Sequence, residues 1–141
     1  MTFLFDGYNY TVRLNRGEHL AESLTEFLQK ADLPGAAVTG VGAATEVTLG
    51  FYDLDAQEYR WKTVSQFFEI ISLTGTIAAD EQGKPIFHLH GSFGDQNYQV
   101  IGGHVKDLVV GGTCELFLHR TFKPLKRAHD ADTGLSLLDL S

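Results

Sequence analysis

Two periods of hydrophobic residues mark the first part of the chain. After the turn at Asp6-Gly7 an apolar side chain occupies every second position, which predicts an opening hairpin or strand built on Tyr8, Tyr10, Val12 and Leu14. The period then becomes that of a helix, whose apolar face comprises Leu20, Leu24, Phe27 and Leu28. Asn15 followed by Glu18 predicts the helix start, because this spacing allows reciprocal capping. Pro34 predicts that the helix ends near Asp32.

A series of β-rich segments follows the helix. The small, glycine-rich and β-branched run from Ala36 to Asp53 predicts two short strands around Gly40–Ala44. Five further strands are predicted in EYRWKTV, FFEIISLTGTIA, PIFHLHGSF, YQVIGGHV and TCELFLHRTF. One helix among seven or eight strands predicts an α+β fold with a central, mostly antiparallel sheet. In the tail, the polar run PLKRAHDADTG predicts a loop, and the apolar end SLLDLS predicts docking on the domain or on a neighbouring subunit.

The composition fits one globular domain and narrows the classes of ligand. The chain has 141 residues, of which 43% are hydrophobic, enough for a single domain with a core. Its 11 basic and 18 acidic residues give a formal net charge of −7, which does not favour binding to nucleic-acid phosphates. The single cysteine, Cys114, excludes an intrachain disulfide. Because no signal-peptide pattern or membrane-spanning run is present, we expect a cytoplasmic protein.

Three of the six histidines lie in the stretch FHLHGSFGDQNYQVIGGH. His88 and His90 project from the same side of their strand. His104 lies on the following strand, and the length of the turn between the strands decides its side. A two-residue loop at Asp95-Gln96 places His104 opposite Phe87 and turns it away from the pair. An odd loop such as Asp95–Asn97, or a β-bulge, places it opposite His88, so that the three imidazoles converge at cross-strand spacing.

Convergence of the three imidazoles would form a metal site. Three neutral nitrogen ligands with a fourth position open are typical of a catalytic zinc site, although copper, nickel and iron also accept imidazole. Glu69 and Asp95 are the candidates for a catalytic proton acceptor, or for a carboxylate that orients a ligating histidine. The alternative is that His88, His90 and His104 are ordinary polar residues on an exposed sheet face.

Four segments stand in a specific order along the chain: GVGAATEVTLGFYD, FEIISLTGTIA, PIFHLHGSFGD and VIGGHV. Together they resemble the plant and prokaryote conserved (PPC) domain, also called the PCC domain or domain of unknown function 296, over residues 3–121. The resemblance implies an α+β fold with a central antiparallel sheet, assembled as a homotrimer. In the prokaryotic branch it implies that histidines matching His88, His90 and His104 bind a zinc-like metal. We therefore expect a PPC domain at residues 1–121 and a C-terminal tail at residues 122–141.

The resemblance also raises a link to DNA, because the plant domain accompanies AT-hooks and prokaryotic members are often labelled DNA-binding. The Arg-Gly-Arg core of an AT-hook does not occur in this chain. The plant partner-binding segment Gly-Arg-Phe-Glu-Ile-Leu is matched here only at Phe68, Glu69 and Ile70. Three functions stay open: a homotrimeric metal-binding protein, with a metal-dependent hydrolase or lyase as its enzymatic version; a DNA-associated transcription regulator; and a small-molecule sensor or purely structural trimer.

Overall fold

One sheet of eight strands and a single helix make up the molecule. The computed structural model describes all 141 residues. In chain order the elements are β1 (Thr2–Phe5), β2 (Tyr10–Asn15), α1 (Leu20–Lys30), β3 (Ala36–Asp53), β4 (Glu58–Ala79), β5 (Pro85–Gly94), β6 (Val100–Arg120), β7 (Lys126–His129) and β8 (Ser136–Asp139). The strand order is β1-β2-β6-β3-β4-β7-β8, and β5 pairs with both β4 and β6. Every pairing is antiparallel except that of β4 with β7, so the predicted α+β fold is confirmed.

Three long strands replace the short ones that the sequence pattern predicts. β3, β4 and β6 contain 18, 22 and 21 residues. β3 continues through Gly40 and Gly42, whereas β4 and β6 each join two of the predicted strands into one. The two predicted strands around Gly40–Ala44 are wrong, because β3 bends there through register shifts and does not stop. Gly42 has φ +150°, and a Cβ at this position would lie 2.1 Å from the carbonyl oxygen of Thr113. Glycine therefore serves close approach of two strands here, not a turn.

The helix begins later than its local capping signal predicts. Asn15 and Glu18 do contact each other, since the Asn15 N–H donates to Glu18 Oε2 at 2.8 Å, but they form a turn before the helix. The N-cap is His19, whose side chain makes no capping hydrogen bond. Asp107 of β6 supplies that contact, because its Oδ1 accepts the N–H of Ala21 at 3.0 Å. A carboxylate 86 residues away in sequence thus caps the helix.

The hydrophobic core lies between α1 and the sheet. It contains 22 buried residues, including the helix face of Leu20, Leu24 and Phe27. Leu28, the fourth predicted member of that face, packs at the edge of the core. Cys114 is fully buried in this cluster, and burial raises the pKa of its thiol to about 12. Cys114 reaches the core because it alternates with Leu116 and Leu118 on the buried face of β6.

The C-terminal tail is a β-hairpin. β7 and β8 pair from Lys126↔Asp139 to His129↔Ser136, and β7 also makes one parallel pair with β4 at Ala79↔Lys126. The prediction of a loop for the whole polar run is therefore wrong, because part of that run forms β7. The only helix of the structure has 11 residues and is too short to cross a bilayer.

Candidate metal centre

The turn between β5 and β6 places the three histidines on one side of the sheet. The loop comprises the five residues Asp95–Gln99, and the strand register pairs His90 with His104. The odd residue count brings His104 to the side of His88 and His90, as one of the two sequence alternatives requires. The prediction that His88 lies opposite His104 is wrong, because that pairing depends on the three-residue loop Asp95–Asn97. The observed loop is two residues longer, so His90 is the residue opposite His104.

Asp95 fixes the shape of this loop. Its Oδ1 accepts the backbone N–H groups of Asn97 and Gln99 at 2.8 and 2.9 Å. The Asp95 N–H donates to the Gln99 carbonyl at 2.9 Å and closes the loop. Tyr98 takes a left-handed backbone with φ 62°, which is uncommon for a residue other than glycine. Asp95 therefore acts on the histidines through the register of the hairpin that carries them.

The ligand atoms of the three imidazoles converge. One nitrogen from each of His88, His90 and His104 lies within 4.8 Å of the others. The Nε2 atoms of His88 and His90 are 3.2 Å apart. Two nitrogen ligands on one tetrahedral zinc ion are separated by about 3.3 Å, given zinc–nitrogen bonds of about 2.0–2.1 Å. The pair therefore already has the spacing that a shared zinc ion requires, and the third imidazole is close enough to complete the set.

Aromatic side chains form one wall of the cluster. The ring of Tyr59 lies 4.8 Å from the ring of His104 and stacks on Trp61 at 4.7 Å. Gly50 of the neighbouring strand makes room for this stack, because a Cβ there would lie 2.6 Å from the Trp61 ring. These rings therefore contribute to the partial burial of His104.

The surroundings keep two of the imidazoles neutral. Burial, followed by the effects of His88 and His90, lowers the pKa of His104 to about 4. Burial and then the positive charge of Arg127 lower the pKa of His88 below its usual value. A neutral imidazole offers a lone pair to a metal ion, whereas a protonated imidazole does not. The cluster is thus electrostatically suited to ligation at neutral pH.

Arg127 of β7 joins the cluster from the C-terminal hairpin. Its Nη2 donates to His88 Nδ1 at 3.0 Å and to Thr76 Oγ1 at 2.9 Å, and its Nη1 donates to the Ser136 carbonyl at 2.8 Å. An arginine has only donors, so in the metal-free chain His88 Nδ1 accepts and the proton of the neutral ring resides on Nε2, facing His90. Ligation of a metal ion by Nε2 would require this proton to move to Nδ1 and Arg127 to leave that nitrogen. Sequence reasoning missed Arg127, since nothing local distinguishes it from the exposed Lys126 beside it.

The two candidate catalytic carboxylates lie apart from the imidazoles. Glu69 is exposed on β4, where it pairs across the strands with Gly94. Glu69 and Asp95 line a shared surface cavity with residues of the 94–98 segment, and none of the three histidines lines that cavity. Neither carboxylate forms a hydrogen bond to an imidazole of the cluster. Their catalytic role stays a prediction without a contact to the metal ligands.

Comparison with known proteins places the chain among relatives of the same length. A family model described as the Plants and Prokaryotes Conserved (PCC) domain matches residues 3–121. The structure is similar to that of a candidate DNA-binding protein from Bacteroides thetaiotaomicron, with TM-score 0.92, 26% identity and coverage of 98% of this chain and 96% of that one. A candidate DNA-binding protein from Ralstonia eutropha is similar with TM-score 0.91 and 31% identity, covering 99% of this chain and 96% of that one. A metal-containing protein from Archaeoglobus fulgidus is similar with TM-score 0.84 and 30% identity, covering 98% of each chain. No curated protein matches the sequence.

Proposed function

Because this chain belongs to the Plants and Prokaryotes Conserved domain family, we propose that it is a homotrimeric zinc-binding protein whose ligands are His88, His90 and His104. The observation that carries the proposal is the convergence of three imidazole nitrogens within 4.8 Å. The relative from Archaeoglobus fulgidus, described as metal-containing, supports it. Three imidazoles leave a fourth position of a tetrahedral ion open to a small molecule.

The residues around the three histidines are consistent with a metal site that has chemical activity. Zinc with an open position supplies Lewis acidity to a bound molecule. The strands hold the three imidazoles on one face, and burial keeps His104 and His88 unprotonated. Tyr59 and Trp61 pack against His104, with ring centres 4.8 and 5.9 Å away. This arrangement suits a metal-dependent hydrolase or lyase, which is the enzymatic form of the proposal.

Metal content of the purified protein tests the zinc site. We expect close to one zinc per chain by elemental analysis of protein prepared with zinc present, and loss of that zinc in His90→Ala. His90 is the exposed member of the set, so its replacement should leave the fold intact. The matched control is His119→Ala, which removes an exposed histidine from β6. Wild-type protein free of metal, or equal zinc in His90→Ala, would rule out the site.

Three copies in the assembly are supported by apolar side chains left exposed in the single chain. Phe51, Phe67, Ile71 and Val100 are each more than half exposed and lie on β3, β4 and β6. A set of large apolar residues in water is costly and is often covered by a partner. A second and a third copy of the chain are the partners that the family resemblance implies.

DNA is the second candidate ligand, because two relatives are described as candidate DNA-binding proteins. The net charge of −7 opposes it, since phosphate contacts need lysine and arginine. An electrophoretic shift with mixed genomic fragments at low salt decides the matter. We expect no shift by the protein alone, and a salt-sensitive shift would favour the DNA-associated function.

A further inference from the structure

Arg127 is a buried cation without an anionic partner. Only 6% of the residue is exposed. Its hydrogen bonds go to a hydroxyl, a carbonyl and an imidazole, all of them uncharged, and none of the ion pairs of the structure includes it. Its Nε has no hydrogen-bond partner at all. Buried arginines are normally paired with an anion, so this one has an unused charge and an unused donor.

A cavity of about 240 Å³ lies beside Arg127. Arg127 lines it together with His88, His104 and Tyr59, which connects it to the histidine cluster. Apolar side chains, among them Ile86 and Leu137, line the rest. The volume is below the range of about 300–1,000 Å³ that is common for drug-sized ligands. A molecule of a few carbon atoms with one charged end matches both the size and the lining.

We propose that Arg127 binds the carboxylate of a small organic acid in this cavity, beside the three histidines. A guanidinium donates charge-assisted hydrogen bonds to a carboxylate, and the Nε–H of Arg127 is a donor left free for one. That the acid is a substrate at the metal rests on the function proposed above. The contact between Arg127 and the carboxylate does not depend on the metal.

The lining favours a carboxylate over inorganic phosphate. Arg127 is the only lysine or arginine that lines the cavity, so it can balance a single negative charge. A phosphate dianion would keep one charge unpaired against apolar walls, which is expensive. The carbon chain of an organic acid, in contrast, gains from contact with those walls.

Propionate serves as the probe, and the Arg127 Nε–H signal in nitrogen–proton correlation spectra serves as the reporter. Titration of the metal-free full-length protein should move this signal, because the free donor gains an acceptor. Propionamide has the same shape without the charge, and phosphate has the charge without the carbon chain. The signal is assigned by its absence from the spectrum of Arg127→Lys. Because this variant keeps the positive charge, it also replaces Arg127→Gln in the binding test if Arg127→Gln does not fold.

We expect propionate to bind at least about tenfold more weakly to Arg127→Gln than to the wild type, as loss of a charged hydrogen-bond donor predicts. Arg127→Lys should also bind more weakly, because a lysine has no donor at the position of Nε. Arg13→Gln removes an exposed arginine of β2 and should bind propionate as the wild type does.

Three results would overturn the proposal: an Nε–H signal that does not move with propionate, equal affinity of Arg127→Gln and the wild type, or tighter binding of propionamide or phosphate than of propionate. Loss of the zinc site alone would leave propionate binding to metal-free protein intact. The two proposals therefore fail separately.

Discussion

His104 is the imidazole that the protein holds most strongly in its neutral form, with its pKa lowered to about 4. Protonation of this side chain is opposed by burial first and then by the neighbouring imidazoles His88 and His90. In the unfolded chain the same group titrates near its ordinary value of about 6.5. Between these two values the unfolded state binds more protons than the folded state. The free energy of unfolding of metal-free protein therefore falls as the pH falls from about 6.5 towards about 4.

Unfolding of metal-free protein in urea at pH 7.5 and pH 5 tests this assignment. His104→Asn should lose less stability between the two pH values than the wild type does, by about 1–2 kcal/mol after allowance for the partial exposure of the ring. His119→Asn, on the exposed face of β6, should keep the wild-type difference. Equal pH dependence of the wild type and His104→Asn would contradict the lowered pKa.

The position of His104 shows which part of the candidate site a residue pattern predicts and which part it does not. The period of two places His88 and His90 together, because alternation is a local property of a strand. The position of His104 depends on five loop residues, one of which, Tyr98, takes a left-handed backbone that a tyrosine does not suggest. Arg127 joins the cluster only through tertiary pairing of the tail, which no local pattern specifies.

Helix α1 and strand β6 are joined through one carboxylate. Asp107 accepts the Ala21 N–H with Oδ1 at 3.0 Å and binds His19 Nδ1 with Oδ2 at 2.7 Å. This pairing raises the pKa of His19 above its ordinary value, chiefly through the hydrogen bond to Asp107. The stability from the ionic part is therefore present below about pH 6.5 and is lost as the pH rises through the raised pKa.

Two substitutions at Asp107 separate the helix cap from the ion pair. Asp107→Ala should lower the free energy of unfolding by about 1 kcal/mol at pH 8.5, because the helix loses its capping acceptor, and by more at pH 6, where the pair with His19 is lost as well. Asp107→Asn keeps an oxygen for Ala21 but loses the charge, so its cost should be larger at pH 6 than at pH 8.5. Denaturant unfolding at both pH values measures this. Asp55→Asn, in an exposed turn, is the control, and a pH-independent cost of Asp107→Asn would be inconsistent with the pairing.

The extent of the long strands could not be derived from residue types, although the fold class could. One helix and a majority of strand-forming segments are enough to predict an α+β fold. Glycines within β3 suggest a break, yet a Cβ added at Gly42 would lie only 2.1 Å from a carbonyl oxygen of the adjacent strand. The predicted start of the helix is wrong for a related reason, because the group that caps the helix comes from β6. Local signals thus predict the kinds of element, and distant contacts decide their ends.

The assembled molecule is where the proposed homotrimer can be tested. Light scattering coupled to size-exclusion chromatography should give three times the 15.6 kDa mass of one chain. Phe67 is 54% exposed on β4, so Phe67→Asp should lower that mass if its face is covered in the assembly, because a buried charge is costly. Phe122→Asp, at an 88% exposed position in the tail, is the matched control. A monomeric mass for the wild type would contradict the trimer.

The first half of β4 has a further consequence for how the protein meets other chains. Residues 58–68 pair only with β3, so one side of this stretch has free backbone N–H and C=O groups. Such an edge is a template on which a foreign strand can grow, the first step of amyloid-like aggregation. Exposed Glu58, Arg60 and Lys62 occupy alternate positions along it. Their charges make addition of a foreign strand unfavourable, so this exposed edge of β4 does not lead to aggregation at high protein concentration.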